Sequence, residues 1–313
     1  MKKRTLTGSV LACIAVLSML AGCSKNDDPS LEDNPGEGKY FSPKSIIDDT
    51  RISVMKGFLR PTLQINYLKN GAPAYALYES TDFRFSYKVQ SGKLILSEIK
   101  HSGSINTFTV GDIAINADGF VTAMTETNVA KTTSGEYAGK ETVTTIKSTF
   151  EYDDHGRVKS RHTDVDKITA AGYHTRYDWN ATTDYDGMGR IKSYNTRGNG
   201  LVHNVVFSYK EGRDEPNKYN IYVPEFVEGA ADKSPATLLF AMTGMLGNAS
   251  TYFPQNITVT DRDYNGTTKY ERVYICASLI DQTTGRCKNF LTGYNQGSTF
   301  VMPQYDFYYA GGK

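Results

Sequence analysis

The sequence holds little of what usually announces an activity. Its five histidines, at positions 101, 155, 162, 174 and 203, fall at no close metal spacing, and neither His-Glu-x-x-His nor Gly-x-Ser-x-Gly occurs. Charge of one sign is also missing. The formal net charge is +1, and it becomes −2 once residues 1–22, which carry three positive charges, are set aside. With no basic stripe, a nucleic-acid partner is not expected. Only four cysteines and one tryptophan occur in 313 residues. Long apolar runs are absent apart from Val10 to Leu20, which is shorter than the roughly 20 residues a membrane-spanning helix needs.

That one run has a specific context. Lys2, Lys3 and Arg4 precede it, and it closes on Leu20-Ala21-Gly22-Cys23. A basic start, a short apolar stretch and small residues before a cysteine read as a bacterial lipoprotein signal. Cys23 is therefore the expected lipidation site, and acyl chains would anchor the protein without a spanning segment. The stretch that follows, Ser24 to Gly38, is acidic and rich in Pro, Gly and Ser, as a disordered tether is. About 20 such residues would hold a domain some 25 Å from the bilayer. The acidic residues just after Cys23 resemble the export signal of surface-displayed lipoproteins.

What the rest of the chain has in quantity is glycine (28), tyrosine (22) and phenylalanine (14). The glycines recur in one pattern, Asp/Asn/Gln-x-x-Gly: Asn116 to Gly119, Asp153 to Gly156, Asp186 to Gly189, Asp263 to Gly266 and Gln282 to Gly285. An Asp or Asn opening a type I turn bonds the amides ahead of it, and Gly at the fourth place takes the left-handed conformation that closes a hairpin. In that register Ile115 opposes Val121, Tyr152 opposes Val158 and Tyr185 opposes Ile191. Between the turns lie strands. Tyr173 to Tyr185 alternates aromatic or small residues with polar ones, so one face packs and the other meets water. Longer loops at 130–140, 166–172 and 197–200 would gather at the rim opposite the short turns.

One helix interrupts the strands. Ser234-Pro235 supplies an N-cap and a first-turn proline, Leu238, Leu239, Met242, Met245 and Leu246 form an apolar stripe, and Gly247-Asn248 is the expected end. The internal Gly244 suggests close approach to a strand. After Phe300 to Tyr309 the chain closes on Ala310-Gly311-Gly312-Lys313, unlike the terminal aromatic of an outer-membrane barrel.

The two central copies, Tyr152-Asp153-Asp154-His155-Gly156-Arg157-Val158 and Tyr185-Asp186-Gly187-Met188-Gly189-Arg190-Ile191, resemble the tyrosine-aspartate repeats of large bacterial surface proteins. With the lipoprotein start and the late helix, the chain also resembles a family of secreted bacterial proteins of unknown function described as having a porin-like fold. The resemblance implies an architecture and an address, the outer membrane or cell surface, and no activity.

The expectation is thus a mainly all-β fold: a large antiparallel meander sheet, partly rolled or half-barrel, with one α-helix around 235–247 packed on it. Residues 1–22 are the signal, 23–42 the tether, and 43–313 a single β domain. Cys276 and Cys287 are expected as free thiols, because the turn register places them on opposite sheet faces. Asp261 to Gly266 opens like a calcium loop but has Arg272 where a bidentate acid is needed, and the hairpin reading needs no ion. Neither metal nor cofactor is expected. The functional reading is a lipid-anchored, non-catalytic binding or structural module whose glycan, peptide or envelope-protein partner docks on the aromatics Tyr137, Tyr173 and Trp179. An extracellular hydrolase with two carboxylates on separate loops is the alternative, although Asp164, Asp166, Asp178 and Asp184 read as a solvated strand face. A third reading is an assembly subunit that pairs through an open sheet edge.

Overall fold

The structure, a computed structural model, describes residues 39–44, 46, 51–58, 62–212, 215–226, 234–296 and 298–310. The expected signal, Cys23 and most of the expected tether lie outside them. The chain begins with β1 (Lys39–Tyr40), β2 (Ile52–Phe58), β3 (Leu63–Tyr67), β4 (Pro73–Tyr78), β5 (Thr81–Gln90), β6 (Lys93–Ser102) and β7 (Asn106–Ile115). It continues with β8 (Val121–Lys131), β9 (Glu141–Tyr152), β10 (Val158–Ile168), β11 (His174–Tyr185), β12 (Ile191–Gly198) and β13 (Leu201–Ser208). Then come β14 (Glu215–Pro216), a 3-10 turn (Val223–Phe226), α1 (Pro235–Met242) and β15 (Tyr252–Phe253). Last are β16 (Asn256–Asp263), β17 (Thr268–Ile280), β18 (Cys287–Gln296), β19 (Thr299–Val301) and β20 (Gln304–Tyr309).

The sheet closes. Strands β2 to β13 pair in succession, β13 pairs β16, then β17, β18 and β20 follow, and β20 returns to β2 through Met55 opposite Phe307 and Gly57 opposite Tyr305. The result is a 16-stranded antiparallel barrel with one short helix, and the expected open or half-rolled sheet is corrected. Closure pairs the backbone groups that two open edges would leave bare, and it joins the apolar inward residues at the two ends of the meander. It also removes the free edge that the assembly reading required.

The hairpins form as read. Gly119, Gly156, Gly189, Gly266 and Gly285 all have φ between 71° and 84°. Ile115 opposes Val121, Tyr152 opposes Val158 and Tyr185 opposes Ile191. Two details differ. The last turn opens on Asp281 rather than Gln282, since the Asp281 carboxylate accepts the Thr283 and Thr284 amides. Antiparallel order also puts the Asp263 turn at the opposite rim from the other four, among the longer loops. We call the two ends the turn rim and the loop rim.

On β11, Arg176, Asp178, Asn180, Thr182 and Asp184 point outward and are exposed, while Ala181 and Thr183 are buried inside. The outward positions of β9 and β10 likewise carry Lys147, Glu151, Asp164 and Asp166. The apolar exception is β17, where Val273, Ile275 and Leu279 are more than half exposed. Inside, Met55, Leu63, Ile65, Phe83, Leu96, Val205, Ile257, Tyr274 and Phe290 form one core together with the helix.

The helix begins where expected, with Ser234 and Thr237 bonded reciprocally as a capping box. It ends earlier. Gly244 takes φ +72°, the Met245 amide reaches the Phe240 carbonyl and the Gly244 amide the Ala241 carbonyl, which is a Schellman stop. Gly244 is therefore the terminator. Ala236, Leu239, Phe240, Ala241 and Met242 are all buried, so the helix packs on every side instead of through one stripe.

After the helix, residues 245–251 run across the turn rim. The Val121 amide bonds the Met245 carbonyl, the Asn248 amide the Gly156 carbonyl and the Thr251 amide the Gly189 carbonyl. The hairpins it meets follow one another every second strand, two interstrand steps of about 4.8 Å apart. This clasp meets one hairpin every third residue and, with the helix, stoppers the turn rim.

Candidate functional site

The loop rim has a different character. On the inner wall, Ala181, Thr196, His203, Asp261 and Tyr270 form an unbroken cross-strand row over β11, β12, β13, β16 and β17. Thr196, His203, Asp261 and Tyr270 each lie two residues from a strand end at the loop rim. The strands differ in length here: β12, β13 and β16 have 8 residues, whereas β9 and β11 have 12, so the β9–β11 wall stands past the mouth.

His203 Nδ1 is held by the Asp261 carboxylate. With Nδ1–H donating there, a neutral imidazole keeps its lone pair on Nε2. That Nε2 is buried without a hydrogen-bond partner, and so is Thr196 Oγ1, on a residue only 4 % exposed. Two buried polar atoms on adjacent strands thus face the interior unsatisfied, and each such atom carries a desolvation penalty of about 1–3 kcal/mol. Beside them, the Arg272 guanidinium lies 4.1 Å from the Tyr294 ring centre and 5.1 Å from that of Tyr270.

Trp179 faces the same interior, half-buried, with its ring edge-to-face on Tyr177 at 5.8 Å. It opposes Gly198. A Cβ on Gly198 would come within 2.9 Å of the indole and collide with the Asp178 carbonyl oxygen, so glycine there is what lets the ring fold back across β12. The indole lies against the Gly198 backbone. Tyr173 is 74 % exposed in the β10–β11 loop, and Tyr137 lies in the β8–β9 loop with the Lys140 ammonium 5.1 Å from its ring centre. The structure thus sets all three predicted aromatics on the loop-rim side, with Trp179 alone inside the mouth. Cys23 lies outside the described residues.

The sequence reading missed the polar row. His203 stood among scattered histidines and Asp261 inside a turn motif. The signal was present in β13, where Leu201, His203, Val205 and Phe207 share one face and a single polar residue interrupts it. Asp263, the other half of that motif, spends its carboxylate on the Asn265 and Thr267 amides and on Lys269. Among the described residues no hydrogen bond joins Thr196 Oγ1 to His203, so hydroxyl, imidazole and carboxylate stand in a row without forming a relay. Asp178 and Asp184 point outward into solvent, and Asp166 is paired with His174 and Arg176.

Both remaining thiols are free. The reason differs from the one expected: a bulge between Leu279 and Ile280 brings Cys287 opposite Ile280 on the inner face, the face of Cys276 as well. The two are separated along the strands instead, since Cys276 opposes Thr292.

No protein-family model matches the chain, and no curated protein does. Solved structures do. A porin-like protein from Bacteroides vulgatus superposes with a TM-score of 0.56 at 12% identity, over 83% of this chain and 99% of that one. A porin-like protein from Bacteroides uniformis gives 0.49 at 12% identity, over 83% and 98%. At such identity the likeness is one of fold. The chain has a porin-like β-barrel fold.

Proposed function

We propose that the protein is a lipid-anchored module of the bacterial cell envelope that binds a hydroxyl-rich ligand, a glycan, at the mouth of its barrel without chemically altering it. The observation that carries this reading is the pair of buried, unpartnered atoms, His203 Nε2 and Thr196 Oγ1, beside a half-buried indole. A sugar hydroxyl can donate to the imidazole lone pair while another accepts from the threonine, and a sugar ring stacks on tryptophan. Tyr137 and Tyr173 on the surrounding loops extend the aromatic surface. The anchor is Cys23. Charged outward side chains on β9 to β11 suit a barrel held at a membrane by lipid rather than one whose wall is immersed in it.

The test is a glycan array probed with the mature chain, followed by titration of each hit. Because Trp179 is the sole tryptophan, its fluorescence reports occupancy directly. Binding that shifts this emission and disappears in Trp179→Ala and His203→Gln supports the reading. Binding untouched by both substitutions, or no glycan bound at all, refutes it. For the anchor, Cys23→Ser should release the protein from the membrane fraction.

A further inference from the structure

The wall has a gap that the barrel strands do not fill. Strands β6 and β7 pair only from Ile99 opposite Val110 to Ser102 opposite Thr107. Below that point β7 turns away: its register with β8 breaks between Gly111 and Ala114, and Asp112 adopts φ +49°. Residues 93–96 of β6 are left with β5 on one side. On the other side lies β1, the one parallel partner among the described residues, with Lys39 opposite Lys93 and Tyr40 opposite Leu94. Residues 39–44 bridge the opening. The Phe41 amide bonds the Leu94 carbonyl, Pro43 sits against Gly119, and the Lys44 amide and ammonium both reach Asp118 in the β7–β8 turn.

Besides these main-chain and ionic contacts, the bridge inserts one aromatic into the wall. Tyr40 is 6 % exposed, its ring meets Tyr87 edge-to-face at 5.9 Å, and its hydroxyl is buried with no hydrogen-bond partner. A short strand that joins main-chain bonds to one inserted aromatic has the arrangement by which sheets accept peptides: main-chain bonds give affinity and a side-chain pocket gives specificity. We propose that the gap between β6 and β7 is an acceptor site for one extended peptide strand bearing an aromatic residue, closed in the free protein by residues 39–44. The occupant it fits in trans is the same segment of a second copy of this chain, since that segment already matches the slot.

The experiment uses the full mature chain. Tyr40→Ala removes the inserted ring, and Lys44→Glu, at a side chain 72% exposed, sets a carboxylate against Asp118 without touching the core. Hydrogen exchange at the Phe41 amide reports whether the bridge is docked. A labelled synthetic peptide spanning residues 39–46 should bind the variants at least about tenfold more tightly than the wild-type chain, whose slot is occupied. The same peptide with alanine at position 40 should lose binding. If Tyr40→Ala does not fold, Lys44→Glu carries the comparison alone. Failure of the peptide to bind a variant whose Phe41 amide exchanges freely overturns the proposal. So does a Phe41 amide that stays protected in every folded variant, because the bridge is then a fixed part of the wall.

Discussion

Gly247 is where the stopper at the turn rim is most exposed to test. Its φ is +86°, and a Cβ there would drive into the Gly156 carbonyl oxygen and come within 2.7 Å of the Tyr152 ring. Two penalties follow from Gly247→Ala. A left-handed alanine costs about 1–2 kcal/mol. The collision is with backbone and cannot be relieved by a rotamer, so the clasp must lift and release two bonds, Asn248 amide to Gly156 and Asn248 side chain to His155. At about 1 kcal/mol each, these bring the total to about 3–4 kcal/mol. Gly266→Ala is the control: φ is +83° with no atom within 4 Å of the added Cβ, which leaves about 1–2 kcal/mol. Urea unfolding of the two variants should therefore separate them by about 2 kcal/mol. Equal losses would mean that the segment over the turn rim contributes nothing beyond its own backbone conformation.

Other consequences can be measured directly. Thr196→Val removes a buried hydroxyl that has no partner, so it should raise stability by about 1 kcal/mol in urea unfolding while weakening glycan binding. Gly198→Ala should expel the indole and shift the single-tryptophan emission to the red, with little change in circular dichroism. Burial pushes the Cys287 thiol up to about 12 and the Cys276 thiol above its ordinary range. Neither should react with a thiol reagent at pH 8 until urea unfolds the barrel. The Asp281 carboxyl is held below its ordinary range, first by the Lys288 bond and then by the Thr284 and Thr283 amides. In Asp153, burial acts upward but the Arg157 side chain and amide outweigh it, and the net shift is downward. Groups lowered on folding stabilise the folded state above their unfolded value, near 4, and lose that contribution as pH falls toward their folded value. Stability should therefore decline below about pH 4, less steeply in Asp153→Asn.

Local features of this fold are written in local sequence, and distant ones are not. The Asp-x-x-Gly turns determine their own hydrogen bonds, so the three central pairings and the alternation along β11 could be read directly. Ser234-Pro235 marked the helix start for the same reason. Closure depends on Met55 meeting Phe307, some 250 residues away, and no turn signal announces such a pair. The helix end was misplaced because Gly244 and Gly247 both take positive φ and only the hydrogen bonds of Phe240 and Ala241 distinguish them. Cys287 changed face through a single bulge, since one extra residue inverts every side chain beyond it. The mouth was half legible: the aromatics stand out by type, whereas Thr196, His203 and Asp261 become a site only when β16 is brought beside the β12–β13 hairpin.

Whether the wall is continuous is decided by hydrogen exchange across the seam of β2 and β20. In a closed barrel the amides of residues 54–56 and 306–308 exchange as slowly as those of the β9–β10 ladder, within the factor that separates neighbouring interior strands. Exchange at the rate of a free edge, while β9 and β10 remain protected, would open the barrel and leave its stopper and its mouth without a wall to sit in.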